Sequence, residues 1–135
     1  MRPPGVSDAV LDSSAVLALL LAEPGSERVT AALPGALLST VNLAEVVAKL
    51  CECGMPAPEA RAAVEATGVE LVDFGPDQAC LCGELRNATR SAGLSLGDRA
   101  CLALARLRDL PAITADSAWG SLLGFDVVVI RGAKS

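Results

Sequence analysis

At 135 residues the chain is long enough for one domain, and 52% apolar against 20% charged residues excludes a disordered protein. Aromatic residues make up only 2% of it, which argues against nucleic-acid modules that stack bases on aromatic side chains. The formal net charge of −5 gives no overall attraction for phosphates, so any nucleic-acid role must depend on local charge.

Apolar runs bounded by Gly, Pro and capping residues predict alternating strands and helices. The predicted strands cover 9–11, 36–38, 70–72, 112–114 and 127–130. The predicted helices cover 14–21, 26–33, 41–53, 58–67, 76–92 and 95–108. This alternation predicts a single α/β domain with a central parallel sheet of about five strands and helices on both faces.

The longest fully apolar run, 15–22, is shorter than the roughly 20 residues that span a bilayer. Asp8 and Asp12 interrupt the apolar stretch near the N-terminus, so no secretory pattern is visible there. We therefore expect a soluble, cytoplasmic protein.

Five cysteines form an odd set, so a disulfide framework is not expected. The pairs Cys51/Cys53 and Cys80/Cys82 fall inside predicted helices, where residues two apart point to nearly opposite faces. The chain has no His as a co-ligand. We expect reduced thiols and no zinc site.

Four acids lie at or near the predicted carboxyl ends of strands, where ligands bind in open parallel sheets. Asp12 ends the first strand and Asp116 follows the fourth, while Glu45 and Asp98 lie early in two helices. The four could share one pocket.

Each acid also has a structural interpretation. Asp12, or Ser13 or Ser14 beside it, could cap a helix. Asp98 could close a capping box that starts at Ser95, and Asp116 could cap a short helix. Glu45 could lie exposed on the outer face of its helix.

Four segments carry a family resemblance: LDSSA at 11–15, STVNLAEV at 39–46, LSLGDRA at 94–100 and ITADSAW at 113–119. In this order and spacing they resemble a PIN-domain ribonuclease of the VapC toxin type. The resemblance covers about residues 8–131, and it implies that the whole chain, 1–135, is a single PIN domain.

The resemblance implies an acidic quartet, Asp12, Glu45, Asp98 and Asp116, that binds Mg²⁺ or Mn²⁺ and cleaves RNA. It assigns supporting roles to Thr114, Asn42 and Ser13. It further implies a VapB-type antitoxin as partner and a homodimer. The helices that begin at Ser14 and Ser26 could offer the antitoxin an apolar groove, or their apolar side chains could form only core.

Between residues 86 and 108, five arginines and one acid give the chain a local charge of +4. Arg86, Arg90 and Arg99 are candidates for contact with RNA phosphates, because Arg suits bidentate phosphate contact. The alternative is an ordinary solvated face.

The missing His excludes a histidine acid–base ribonuclease, and no Walker loop or D-x-D nucleophile motif is present. Two other functions stay open. One is a catalytically inactive PIN fold that binds RNA or protein. The other is a receiver-type regulator, which would need an acidic pair where Ser13 and Ser14 follow Asp12.

Overall fold

The computed structural model describes residues 8–131, and in this range five parallel strands form one sheet in the order β3-β2-β1-β4-β5. The strands are β1 Val10–Leu11, β2 Leu37–Ser39, β3 Glu70–Val72, β4 Ala112–Thr114 and β5 Val127–Val129. Every neighbouring pair is parallel, as in βαβ units. The predicted α/β class is confirmed.

Helices connect the strands. They are α1 Ser13–Leu20, α2 Ser26–Ala32, α3 Thr40–Glu52, α4 Ala57–Ala66, α5 Pro76–Ala88 and α6 Leu96–Arg108, with 3-10 helices at Arg90–Ala92 and Ser117–Ser121. Within residues 8–131, none of these helices combines the length and apolarity needed to cross a bilayer.

The sheet separates two apolar clusters, because successive strand residues point to opposite faces. Leu11 and Ile113 pack with side chains of α1, α2, α3 and α4 on one face. Val10 and Ala112 pack with α5, α6 and the fully buried Trp119 on the other. The prediction of helices on both faces is therefore correct.

β1 lies at the centre of the sheet, at the point where the strand order reverses direction. From β1 the chain proceeds to β2 and β3 on one side, and β4 and β5 lie on the other. At the carboxyl end of β1 the amide of Asp12 donates to the carbonyl of Ile113 at 3.1 Å. Crevices at such reversal points bind ligands in open α/β sheets. Asp12 therefore stands where a site is expected.

The helix predicted over 76–92 is interrupted. α5 ends at Ala88, and the hydroxyl of Thr89 donates back to the carbonyl of Leu85 at 2.7 Å. The chain then forms the 3-10 turn Arg90–Ala92 and leaves it at Gly93, whose φ of 66° is in the left-handed region. The tighter turn folds this segment toward the start of α6.

Candidate active site

Asp12 is a buried carboxylate fixed by three hydrogen bonds. Its Oδ1 accepts from the amide of Ala15 at 2.8 Å and from the hydroxyl of Ser14 at 2.7 Å. Its Oδ2 accepts from the hydroxyl of Thr114 at 2.6 Å. Only 4% of the residue is exposed. Asp12 thus caps α1, as the structural interpretation expects, and it also stands at the strand-end crevice.

Glu45 reaches from α3 to the start of α6. The side-chain amide of Asn42 donates to Glu45 Oε1 at 2.8 Å and to the carbonyl of Gly97 at 3.0 Å. The Glu45 carboxylate fills the space that a side chain at position 97 would need. The alternative that Glu45 lies on an outer helix face is therefore wrong.

Asp98 closes the capping box at the start of α6. The hydroxyl of Ser95 accepts from the Asp98 amide at 3.1 Å, and Asp98 Oδ2 accepts from the Ser95 amide at 2.9 Å. The predicted capping box is confirmed. It holds the half-buried carboxylate of Asp98 at the α6 N-terminus, where the helix dipole favours negative charge.

The charges of three of the acids act on one buried thiol, that of Cys101. Cys101 is fully buried on α6, one turn beyond Asp98. Burial raises the pKa of this thiol well above its usual range, and the charges of Asp12, Asp98 and Glu45 raise it further, in that order. Because α6 also packs against both β1 and α3, Asp12, Glu45 and Asp98 belong to one region of the fold.

Asp116 lies beside this group at the surface. Its Oδ1 accepts from the amide of Ala118 at 2.9 Å and caps the 3-10 helix, as the structural interpretation expects. Its amide donates to the Thr114 hydroxyl at 3.0 Å, and that hydroxyl in turn donates to Asp12. Asp116 is thus linked to the site through Thr114, although its exposed carboxylate faces its own turn.

The sequence of the chain matches a known protein family. The family model described as PIN domain matches residues 9–122. The chain belongs to the PIN domain family. This finding confirms the resemblance drawn from the four acidic segments, all of which fall inside the matched range.

Solved structures share this PIN fold along nearly the whole chain. A toxin–antitoxin complex from Klebsiella pneumoniae matches with a TM-score of 0.72 at 22% identity, over 93% of this chain and 99% of that chain. DNA-bound VapBC from Salmonella typhimurium gives 0.72 at 20% identity with the same coverage, 93% and 99%. VapBC-5 from Mycobacterium tuberculosis gives 0.57 at 26% identity, again over 93% and 99%. No curated protein sequence matches the chain significantly.

Ser14 is a supporting residue of this PIN site that sequence reasoning missed. Its hydroxyl donates to Asp12, lies 3.2 Å from the Thr114 hydroxyl and accepts from the amide of Ala115 at 2.9 Å. Ser13, the residue predicted for this role, makes no such contact among residues 8–131. Ser13 is the first residue of α1, and its side chain points away from Asp12. Which of the two serines contacts the acid depends on the geometry of the Asp12 cap, and the sequence pattern does not show it.

Burial raises the pKa of Asp12 from 3.8 to about 6. Hydrogen bonds from Thr114, Ser14 and Ala15 lower this pKa. The negative charge of Asp98 raises it, and this is the smallest of the effects. Desolvation is therefore the main cause of the raised pKa, and repulsion from a neighbouring carboxylate is a minor one. Within residues 8–131, no Lys or Arg acts as a counter-ion for this carboxylate.

The donor set fits a hard divalent cation in its chemistry. Asp12, Glu45 and Asp98 offer carboxylate oxygens, the ligands preferred by Mg²⁺ and Mn²⁺. A buried carboxylate without a counter-ion is costly, and a bound cation would offset that cost. No three His, Cys, Asp or Glu side chains of residues 8–131 are already arranged as a ligand set. Asp98 Oδ2 is turned into its own helix cap, and Glu45 Oε1 is held by Asn42.

The three candidate arginines divide into two environments. Arg99 is only 7% exposed and donates to the carbonyl of Cys82 at 2.9 Å across the α5–α6 interface. The structure contradicts its assignment to an RNA-contacting surface, because the face of α6 that carries Arg99 packs against α5. Arg86 and Arg90 are exposed.

Proposed function

We propose that this chain is a VapC-type toxin, a divalent-metal-dependent endoribonuclease that hydrolyses RNA phosphodiester bonds. The observation that carries the proposal is the placement of acids in a PIN domain: the Glu45 carboxylate packs on Gly97, directly before Asp98, and Asp12 stands at the carboxyl end of the central strand. Asp116 is the fourth acid and the one with the least direct role, because its carboxylate caps a separate turn.

Each residue has a definite part in this proposal. Asp12, Glu45 and Asp98 hold the cation, for which Mg²⁺ or Mn²⁺ is proposed among the divalent metals that PIN nucleases generally use. When bound, the cation supplies charge that polarises a phosphodiester and a water. Thr114 and Ser14 fix the orientation of Asp12 through hydrogen bonds of 2.6 and 2.7 Å. Such partners keep a ligand in one geometry.

The proposal includes a small VapB-type antitoxin and a homodimer. Its support is the likeness to the structures titled VapBC and toxin–antitoxin complex. A pocket of about 300 Å³ between α2 and the strands β4 and β5 is lined in part by Ala32, Val128 and Ile130. The described lining contains no residue of α1, so the antitoxin groove predicted on α1 and α2 stays a prediction. Val16 of α1 is buried in the core, whereas Leu21, directly after α1, is 40% exposed.

Cleavage of single-stranded RNA in Mg²⁺ or Mn²⁺ tests the proposal. Asp12→Asn and Asp98→Asn should each lower the rate by at least ~100-fold, above the 10–100-fold typical for loss of a residue that only orients a ligand. Asp126→Asn is the matched control, because Asp126 is exposed just before β5 at the opposite end of the strands. In the same assay, the protein of a neighbouring antitoxin gene should stop cleavage when added in equal amounts.

The outcomes separate the candidate functions. Full activity of both site variants would contradict the assignment of the acids. Binding of RNA without cleavage in any divalent metal would instead favour the inactive PIN-fold module.

A further inference from the structure

The positive charge of the 86–108 window is distributed unevenly in the fold. Arg99 is buried, and Arg106 stacks on the ring of Phe125 at 4.2 Å and donates to the carbonyl of Gly124 at 2.8 Å. Those arginines already have partners within the protein. Arg86, Arg90 and Arg108 are exposed, and of these Arg86 and Arg90 lie only four residues apart.

Arg86 and Arg90 line the same pocket. Its volume is about 250 Å³, and its described lining is Arg86, Thr89, Arg90, Gly93 and Leu94, with no acidic side chain among these residues. The turn after α5 creates it, since the chain leaves the helix at Ala88 and reverses at Gly93. The pair therefore faces a concave surface with a local excess of positive charge.

One of the two guanidinium groups is already oriented. Arg90 Nη2 donates to Asn87 Oδ1 at 3.0 Å, which restrains the side chain. A guanidinium carries five N–H donors in a planar fork, a geometry that matches two oxygens of a phosphate. Restraint by Asn87 lowers the entropy lost when such a group binds.

The pocket borders the acidic site along the chain. Leu94, in its wall, is followed by Ser95, whose amide is held by Asp98. Because the Ser95 amide lies 2.9 Å from Asp98 Oδ2, the Leu94 end of the pocket is close to the Asp98 carboxylate. A nucleic-acid strand advances about 3.4 Å of axis per phosphate, so one RNA strand can contact both the pocket and the acidic site.

We propose that Arg86 and Arg90 form a phosphate subsite that holds the RNA backbone beside the acidic site. The inference rests on the proposed ribonuclease function and adds the place where the strand is held. It also explains how a chain with a net charge of −5 binds a polyanion, since local positive charge beside the acids offsets their repulsion.

The test compares two double variants that change net charge equally. R86Q/R90Q removes the subsite, whereas R61Q/R108Q removes two exposed arginines elsewhere. The controls are matched, because Arg108 like Arg86 lies in the last turn of a helix, and Arg61 like Arg90 donates to a polar side chain within four residues along the chain. Affinity for single-stranded RNA is measured by fluorescence anisotropy across a salt series, in EDTA so that nothing is cut.

Each phosphate contact adds about 0.7 to the slope of log affinity against log salt for a single strand. We expect R86Q/R90Q to lower this slope by about 1.4 and to weaken binding on the order of 10-fold near 0.1 M salt, while R61Q/R108Q keeps the wild-type slope. Equal slopes in the two double variants would overturn the subsite. Displacement of RNA by equimolar inorganic phosphate would also overturn it, because the pocket would then be a free-anion site.

Failure of the subsite and failure of the ribonuclease proposal are distinguishable. A slope lost only in R86Q/R90Q, with no cleavage by wild type in Mg²⁺ or Mn²⁺, supports the subsite and contradicts the nuclease. Normal cleavage by the wild type, with equal slopes in the two double variants, supports the nuclease and contradicts the subsite. If an acidic peptide, and not RNA, loses affinity in R86Q/R90Q, the pocket belongs to a protein partner and the subsite is overturned.

Discussion

Asp12 combines two roles that place opposite demands on its charge. As the cap of α1 it accepts hydrogen bonds that favour the ionised form, whereas its burial favours the neutral form. Burial is the stronger effect, so the folded, metal-free protein holds a proton at this position more tightly than the unfolded chain does. A site that is costly when empty gains the most when a cation binds.

The pH dependence of stability follows from that pKa. Because the pKa of Asp12 is raised from 3.8 to about 6, its contribution to stability is complete below pH 3.8 and is lost as pH rises through about 6. The loss is about 3 kcal/mol. Denaturant unfolding in EDTA from pH 4 to 7 measures it as the free-energy difference between wild type and Asp12→Asn. This difference should fall with rising pH, and a constant difference would show that Asp12 is not buried as described.

Gly97 is a positioning residue, because the Glu45 carboxylate occupies the space of its absent side chain. Gly97→Ala should displace that carboxylate and weaken Mn²⁺ binding and cleavage by about 10–100-fold, the usual cost of disturbing a ligand's support. Stability should change little, because the group that must move is the end of a flexible side chain and Ala is the better helix former. Titration calorimetry with Mn²⁺ and thermal unfolding separate the two effects.

Gly83→Ala provides the matched control for this prediction. Gly83 also lies inside a helix, and nothing stands within 4 Å of the position a Cβ would take. The control should gain up to about 1 kcal/mol of stability with unchanged Mn²⁺ affinity. If Gly97→Ala behaves like the control in both measurements, Glu45 does not depend on this glycine.

At the scale of elements, the sequence predicted best where capping and turn residues mark both ends. The strands Glu70–Val72 and Ala112–Thr114 have their predicted bounds, and α6 begins at the predicted capping box and ends at Arg108. The end of α5 was missed, because the bond from Thr89 back to Leu85 and the left-handed Gly93 leave no clear periodic signal.

Some site residues could be predicted from local sequence patterns, whereas others depend on tertiary packing. The four acids were predicted from strand ends and from the family's segments. Arg99 was misplaced, because its polarity favours exposure and only the packing of α6 against α5 buries it. Gly97 could have been noticed as a glycine in the first helical turn, where it costs stability, but its contact with Glu45 depends on the whole fold.

For the whole molecule, the arrangement depends on parallel topology. Residues from β1, α3 and α6 reach one crevice because the strand order reverses beside β1. The same topology places the pocket of Arg86 and Arg90 along the chain from Asp98, so negative and positive surfaces lie side by side. In the proposed function, the acidic surface holds the cation and the positive surface holds the RNA strand.

The central claim is that acids from three separate elements share one cation. An anomalous difference map from a crystal of the wild-type protein soaked in MnCl₂ tests it most directly. The account predicts a peak in contact with the carboxylates of Asp12 and Asp98, with Glu45 directly or through water, and no such peak in Asp98→Asn. A protein that cleaves RNA in Mn²⁺ but shows its manganese away from these residues would contradict the account.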